Sequence, residues 1–125
     1  MNQQNLVVIE GNAVRDADIK TTATGAMICK MSIANNRFYK SGDGYEKEVS
    51  YFDVDCFGEV ARLCADKVKR GSEVRVTGRL KQSRWQQDDG QNRNAVVIVA
   101  SLVEFGSKAR EQGGNPDPAE GDVDF

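Results

Sequence analysis

The 125-residue chain contains no histidine. This removes the usual general base near neutral pH and every Ser-His or Cys-His nucleophile arrangement. It has no Walker-type phosphate loop and no dinucleotide fingerprint. Acidic pairs such as Asp88-Asp89 fall in polar turn sequence, where solvation accounts for them. Catalysis has no foundation here, so neither an enzyme nor a cofactor is expected. The cysteines are few: Cys29, Cys56 and Cys64, at spacings unlike a zinc site. Three thiolates without histidine leave a tetrahedral site one ligand short. They read as small buried hydrophobes, and no metal is expected. Long apolar runs are also missing, since a stretch such as Ala95–Val103 is too short to span a bilayer. Met1 to Asn5 has neither the basic start nor the apolar stretch of a signal peptide, which points to a protein inside the cell.

What remains is the balance of one soluble globular domain, 39% hydrophobic and 29% charged. The net charge of −2 is unevenly spread. Residues 1–110 hold all 17 Lys and Arg against 14 acids. Residues 111–125 hold five acids (Glu111, Asp117, Glu120, Asp122, Asp124) and no base. A mildly basic body with an acidic end suits a polyanion-binding domain carrying a separate tail.

The first segment, Leu6 to Val14, is β-rich and broken by Gly11, as a strand wrapping a barrel requires. Thr22 to Gly25 reads as a turn, followed by a half-buried strand with Met27, Cys29, Met31 and Ile33 on one face. Lys40 to Gly44 reads as a flexible polar loop. From Val49, Phe52, Val54 and Cys56 point one way, while Tyr51, Asp53, Asp55 and Phe57 point the other. After Gly58, Val60, Leu63, Cys64 and Val68 recur at helical spacing up to about Lys69, with Gly71 as the stop. The next strand places Val74, Val76 and Leu80 inward. Asp88-Asp89-Gly90 marks a hairpin leading into Ala95–Val99. Three strands, one helix and two strands is the order of an all-β, five-stranded Greek-key OB-fold barrel, a fold that holds oligonucleotides on its second and third strands. Two units are expected: residues 1–106 as the barrel and 107–125 as a disordered tail.

Four aromatics suggest binding: Phe38 at a strand end, Tyr51 and Phe57 on the outer face, and Trp85 at the long hairpin. Arg37, Lys40, Lys69, Arg70, Arg75, Arg79, Lys81, Arg84 and Arg93 accompany them. Single-stranded nucleic acid asks for this mixture, because bases stack on π-faces while phosphates seek cations. A one-residue slip of register would bury Phe38 and Phe57 instead, and Arg75, Arg79 and Lys81 taken singly read as a solvated strand face.

Three segments carry a family likeness: Asn5-Leu6-Val7-Val8-Ile9-Glu10-Gly11-Asn12, Cys56-Phe57-Gly58, and Arg70-Gly71-Ser72-Glu73-Val74-Arg75-Val76-Thr77-Gly78-Arg79-Leu80. The last runs on to Arg84-Trp85 and Gly90-Gln91-Asn92-Arg93. Over about residues 5–106 the chain resembles the bacterial single-stranded DNA-binding protein family. The resemblance implies an OB fold, a homotetramer (or a dimer), a nucleoid-associated cytoplasmic setting, and coating of single strands in replication, recombination and repair. It places stacking positions on Phe38, Tyr51, Phe57 and Trp85, and strand-bending glycines at Gly11 and Gly78. Asp53, Asp55 and Glu59 depart from it, standing where familiar members tend to carry basic or neutral residues. The tip Asp122-Val123-Asp124-Phe125 matches in its acids and terminal aromatic, though no proline precedes the Phe, and implies recruitment of replication and repair proteins. Two other readings stay open: a primosome-type adaptor that also binds single strands, and an OB module used only for protein contact. RNA as the bound strand stays open with them.

Overall fold

The computed structural model describes residues 1–106, and its strands fall where apolar side chains alternate. In chain order they are β1 (Val7–Ala13), β2 (Asp18–Thr21), β3 (Met27–Ser41), β4 (Gly44–Phe57), α1 (Gly58–Lys67), β5 (Glu73–Gln86) and β6 (Asn92–Phe105). Five of these strands close a barrel. β1 pairs antiparallel with β5 along Val7–Asn12 and reaches β3 through Asn12 and Ala13. β5 pairs with β6, β6 runs parallel to β4 at Val54–Ile98 and Asp55–Val99, and β4 returns to β3. This is the five-stranded barrel with one helix that the element order predicts. The addition is β2, an exposed four-residue strand hairpinned onto β3 through the Thr22–Ala26 turn, which the sequence pattern does not signal.

The core takes one parity from β3, β4 and β5 (Cys29, Met31 and Ile33; Val54 and Cys56; Val74 and Val76). From β6 it takes Ile98 and Ala100 before the register shift and Val103 after it, where the extra residue Ser101 flips the parity. α1 closes one end, burying Ala61 and Cys64. The expected helical stripe is shifted here. Leu63 is exposed and Ala61 takes its place, because the buried face runs through positions 61, 64 and 68. Gly58, at φ 62°, lets the chain turn from strand into helix. Glu59 in the first turn and Lys67 in the last suit the helix dipole, and extended backbone at Val68 ends the helix.

The three cysteines meet in this core, with Cys29 opposite Cys56 in the ladder and Cys56 Sγ 3.9 Å from Cys64 Sγ. Burial pushes the Cys29 thiol up to about 11. Cys56 is pushed up by its hydrogen bond to Cys64 and then by burial. No group of three or more potential metal ligands forms among the described residues.

Gly11 and Gly78 sit where backbones approach. A Cβ on Gly11 would run into the Ala34 carbonyl, and one on Gly78 into the Val99 carbonyl, beside the register shift between Thr77 and Gly78. These crossings bend the barrel wall, the role expected of both glycines.

Two hairpins extend past the barrel. Residues 35–41 and 44–50 form one arm, whose turn is only Gly42-Asp43, with Gly42 at φ 59°. The expected flexible loop over Lys40–Gly44 is therefore a tight turn, glycine at its first central position as a type II′ turn requires. β5 and β6 form the other arm, paired out to Gln86–Asn92. Leu80 has inward parity, yet it is exposed because β5 has by then left the barrel.

Candidate nucleic-acid interface

Residues directly opposite in an antiparallel ladder share a face, and successive residues alternate between faces. Applied to this register, these rules gather the four aromatics. On β3 and β4 the solvent parity carries Phe38 opposite Lys47, Ala34 opposite Tyr51, Ser32 opposite Asp53, Lys30 opposite Asp55 and Ile28 opposite Phe57. Asp55 lies beside Val99 in the parallel pairing, which carries the same parity onto β6. From Val99 it crosses to Arg79 on β5, then outward to Lys81 opposite Val97 and Trp85 opposite Arg93. Phe38, Tyr51, Phe57 and Trp85 thus lie on one outer face, exposed by 69%, 67%, 42% and 47%.

The cations divide. Arg79, Lys81 and Arg93 share this face, Arg93 opposite Trp85 and Arg79 across Val99 from Asp55, and Lys40 lies on it opposite Tyr45. No carboxylate among the described residues lies within ion-pair distance of these four. Arg84 lies on the other face of its arm and donates from Nε and Nη2 to Gln82 Oε1, at 3.1 and 2.8 Å. It still lines a groove of about 550 Å³ at the arm tip with Trp85, Gln86, Asn92, Arg93 and Asn94.

Arg37 falls on the reverse face of the β3–β4 arm. It stacks over the Tyr39 ring at 5.4 Å, and its guanidinium stands 3.8 Å from the Glu48 carboxylate. Tyr39 donates its hydroxyl to Glu46, and that bond raises its pKa. Arg75 sits on the outer face of the β1–β5–β6 wall, ion-paired to Glu10 and Glu104. Lys69 and Arg70 occupy the α1–β5 connection, where the Arg70 backbone N–H donates to Asp16. Lys69 and Arg70 therefore lie off the strand face of the aromatics. Arg75, though of the same outward parity as Arg79 and Trp85, sits at the far end of β5 with its guanidinium committed to Glu10 and Glu104. Asp122, Val123, Asp124 and Phe125 lie outside the described residues.

The register also brings in two residues that the sequence pattern alone does not single out, Tyr45 and Lys47. Both are exposed on the aromatic face of the β3–β4 arm. A signal for them exists: Tyr45, Lys47, Val49 and Tyr51 continue backward the alternation that ends at Phe57. At the centre of the face Asp55 is held by Lys30 at 3.3 Å, whereas Asp53 is exposed with no ion-pair partner among the described residues.

Comparison with known proteins adds to this geometry. A family described as the Single-strand binding protein family matches residues 4–106. A protein of Treponema pallidum named single-stranded DNA-binding protein is 39% identical over 119 residues, spanning 91% of this chain and 67% of that protein. One of the same name from Wolinella succinogenes is 36% identical over 112 residues, spanning 88% and 69%. A solved Plasmodium falciparum SSB in complex with ssDNA superposes with a TM-score of 0.74 at 20% identity, over 84% of this chain and 98% of that one, and so shares the fold.

Proposed function

The chain belongs to the single-strand binding protein family and binds single-stranded DNA, and we propose that it does so on the outer face shared by β3, β4 and the β5–β6 arm. As a member of this family it is a binding protein and not an enzyme. The observation that carries the site is the register itself, which sets Phe38, Tyr51, Phe57 and Trp85 on one face with Lys40, Lys47, Arg79, Lys81 and Arg93. Bases stack on the rings and phosphates take the cations. Every base has a π-face, so little sequence preference follows from stacking, and affinity falls as salt rises. No described helix is long and apolar enough to cross a membrane.

Titrating the protein with a dT oligomer, a matched duplex and a matched RNA strand tests this, with Trp85 fluorescence followed at two salt concentrations. Quenching by the DNA strand, weakened by salt, is the expected result. Absence of binding to any strand at low salt, checked by calorimetry, would overturn it.

Self-association has its own support. Val7 to Gly11 pair with β5 on one side and meet no strand on the other among the described residues. Leu6 and Val8 are exposed along that edge, and Leu102 is exposed on the same outer face two strands away. An open edge flanked by apolar side chains suits pairing with a second copy, the first step toward the homotetramer the resemblance implies. We extend the proposal to Asp122, Val123, Asp124 and Phe125 as the contact for replication and repair proteins, tested by deleting them and measuring partner capture with DNA affinity held constant.

A further inference from the structure

We propose that Tyr45 is a fifth base-stacking residue, and that with Lys40 it carries the bound strand out to the tip of the β3–β4 arm. The inference rests on the binding face proposed above and deepens it.

Two cross-strand pairs repeat along the outer face of this arm. Phe38 on β3 stands opposite Lys47 on β4, and two residues farther out Lys40 stands opposite Tyr45. Directly opposed side chains are close neighbours, with Cβ atoms about 4.5–5.5 Å apart. Each rung therefore sets one ring beside one ammonium, first with the ring on β3 and then with the ring on β4. The two rungs are roughly 7 Å apart along the ladder, about double the rise between stacked bases. A single strand drawn out along the arm can lay one base on each ring and one phosphate at each ammonium.

The hairpin sorts its charges to suit. Its outer face, from Ala34 and Tyr51 to Lys40 and Tyr45, carries no carboxylate. Glu46 and Glu48 lie on the reverse face, and Asp43 sits in the turn. Neither lysine has a carboxylate within ion-pair distance among the described residues.

The two tyrosines of the arm differ in what holds them. Tyr39, on the reverse face, donates its hydroxyl to Glu46 at 2.9 Å and lies under the Arg37 guanidinium, 5.4 Å from the ring centroid. Tyr45 is 77% exposed and has no hydrogen bond or ring contact among the described residues. It is absent from the core cluster and from the residues packed against it. An open ring beside an uncommitted ammonium, in register with a second such pair, is the combination that a single strand recognises.

The experiment measures anisotropy of a labelled dT oligomer at several salt concentrations with the full chain and its variants. Tyr45→Ala should bind about fivefold more weakly at every salt concentration, the lower end of the range for one stacked base. Its melting temperature should be unchanged, because Tyr45 lies outside the core. Tyr45→Phe keeps the ring and should bind like wild type. Lys40→Ala should lower the slope of log K against log salt by about 0.7. Tyr39→Phe, which cuts the bond to Glu46 on the reverse face, is the unchanged control. Wild-type affinity in Tyr45→Ala would overturn the proposal, and Phe38→Ala run alongside tells how far the failure extends. Weakened binding by Phe38→Ala would leave the binding face standing without Tyr45. Unchanged binding by both would take the β3–β4 part of that face down as well.

Discussion

Replacing Trp85 with alanine should weaken single-strand binding about tenfold without unfolding the protein. Trp85 leaves 47% of its surface in solvent at the end of the β5–β6 arm, outside the core. An aromatic buries ~150–250 Å² when fully covered, so roughly 100 Å² of this ring is open to a base. At ~25 cal/mol per Å² that would contribute about 2.5 kcal/mol if wholly covered. A stacked base covers one ring face, which lowers the figure to about 1.5 kcal/mol, inside the range for stacking onto protein aromatics. That energy is about a tenfold change in Kd. Anisotropy of a labelled dT oligomer at several salt concentrations reads it out, because the variant has lost its own fluorophore. Trp85 meets a base and not a phosphate, so its removal should lower affinity equally at every salt concentration. Trp85→Phe keeps a π-face and should recover part of the loss. Unchanged affinity in the alanine variant, with an unchanged melting temperature, would refute stacking at this position.

Other expectations follow from the same register. Arg79→Ala or Arg93→Ala should reduce the slope of log K against log salt by about 0.7 for each phosphate left without its cation. Arg37→Ala, on the reverse face beside Glu48, should leave that slope unchanged. Val8→Glu should shift the chain to smaller species in sedimentation, since it places a charge beside the open edge of β1. Gly78→Ala should cost about 2 kcal/mol in chemical denaturation, because the new Cβ meets the Val99 carbonyl and the crossing backbones must spread. Gly44→Ala, with open space around it, is the near-neutral control. The Cys29 thiol, raised by burial to about 11 from 9.0, holds its proton more tightly folded than unfolded. Its contribution is therefore complete below pH 9 and is lost as pH climbs toward 11. Melting curves of Cys29→Ala should accordingly show a shallower alkaline decline than wild type across that window.

How far the sequence can be read depends on whether a segment has one wet and one dry face. Val49 to Phe57 alternates between them, so its inward and outward residues can be assigned without knowing the register. Asp18–Thr21 is exposed at all four positions, and a strand without a buried face leaves no hydrophobic period to detect. The tip of the β3–β4 arm reads as a loop for the same reason: with polar residues on both of its faces, its pattern resembles a linker. Leu80 is a different case. Its parity is right, but parity cannot say where a strand leaves the barrel. Arg37 and Arg75 need the partner strand, since only the pairings 37–48, 75–10 and 75–104 reveal the carboxylates beside them.

Those pairings also explain how a chain with so little excess charge can hold a polyanion. The described residues carry almost as many acids as bases, so the summed field of the molecule is too weak to do it. The ladders instead sort charge by place. Glu10 and Glu104 engage Arg75 on the β1–β5–β6 wall, Glu48 stands against Arg37 behind the β3–β4 arm, and Glu59 pairs with Arg62 on α1. With those acids committed elsewhere, Arg79 and Lys81 face outward along β5, Arg93 beside Trp85, and Lys40 and Lys47 beside Phe38, without carboxylate partners among the described residues. A strand laid across the face would meet rings along its length, Asp53 and Asp55 on β4, and Arg79 and Lys81 two strands across on β5. Such an interface draws more of its affinity from stacking than a uniformly basic groove does. Its salt dependence should therefore be shallow for the number of nucleotides it covers.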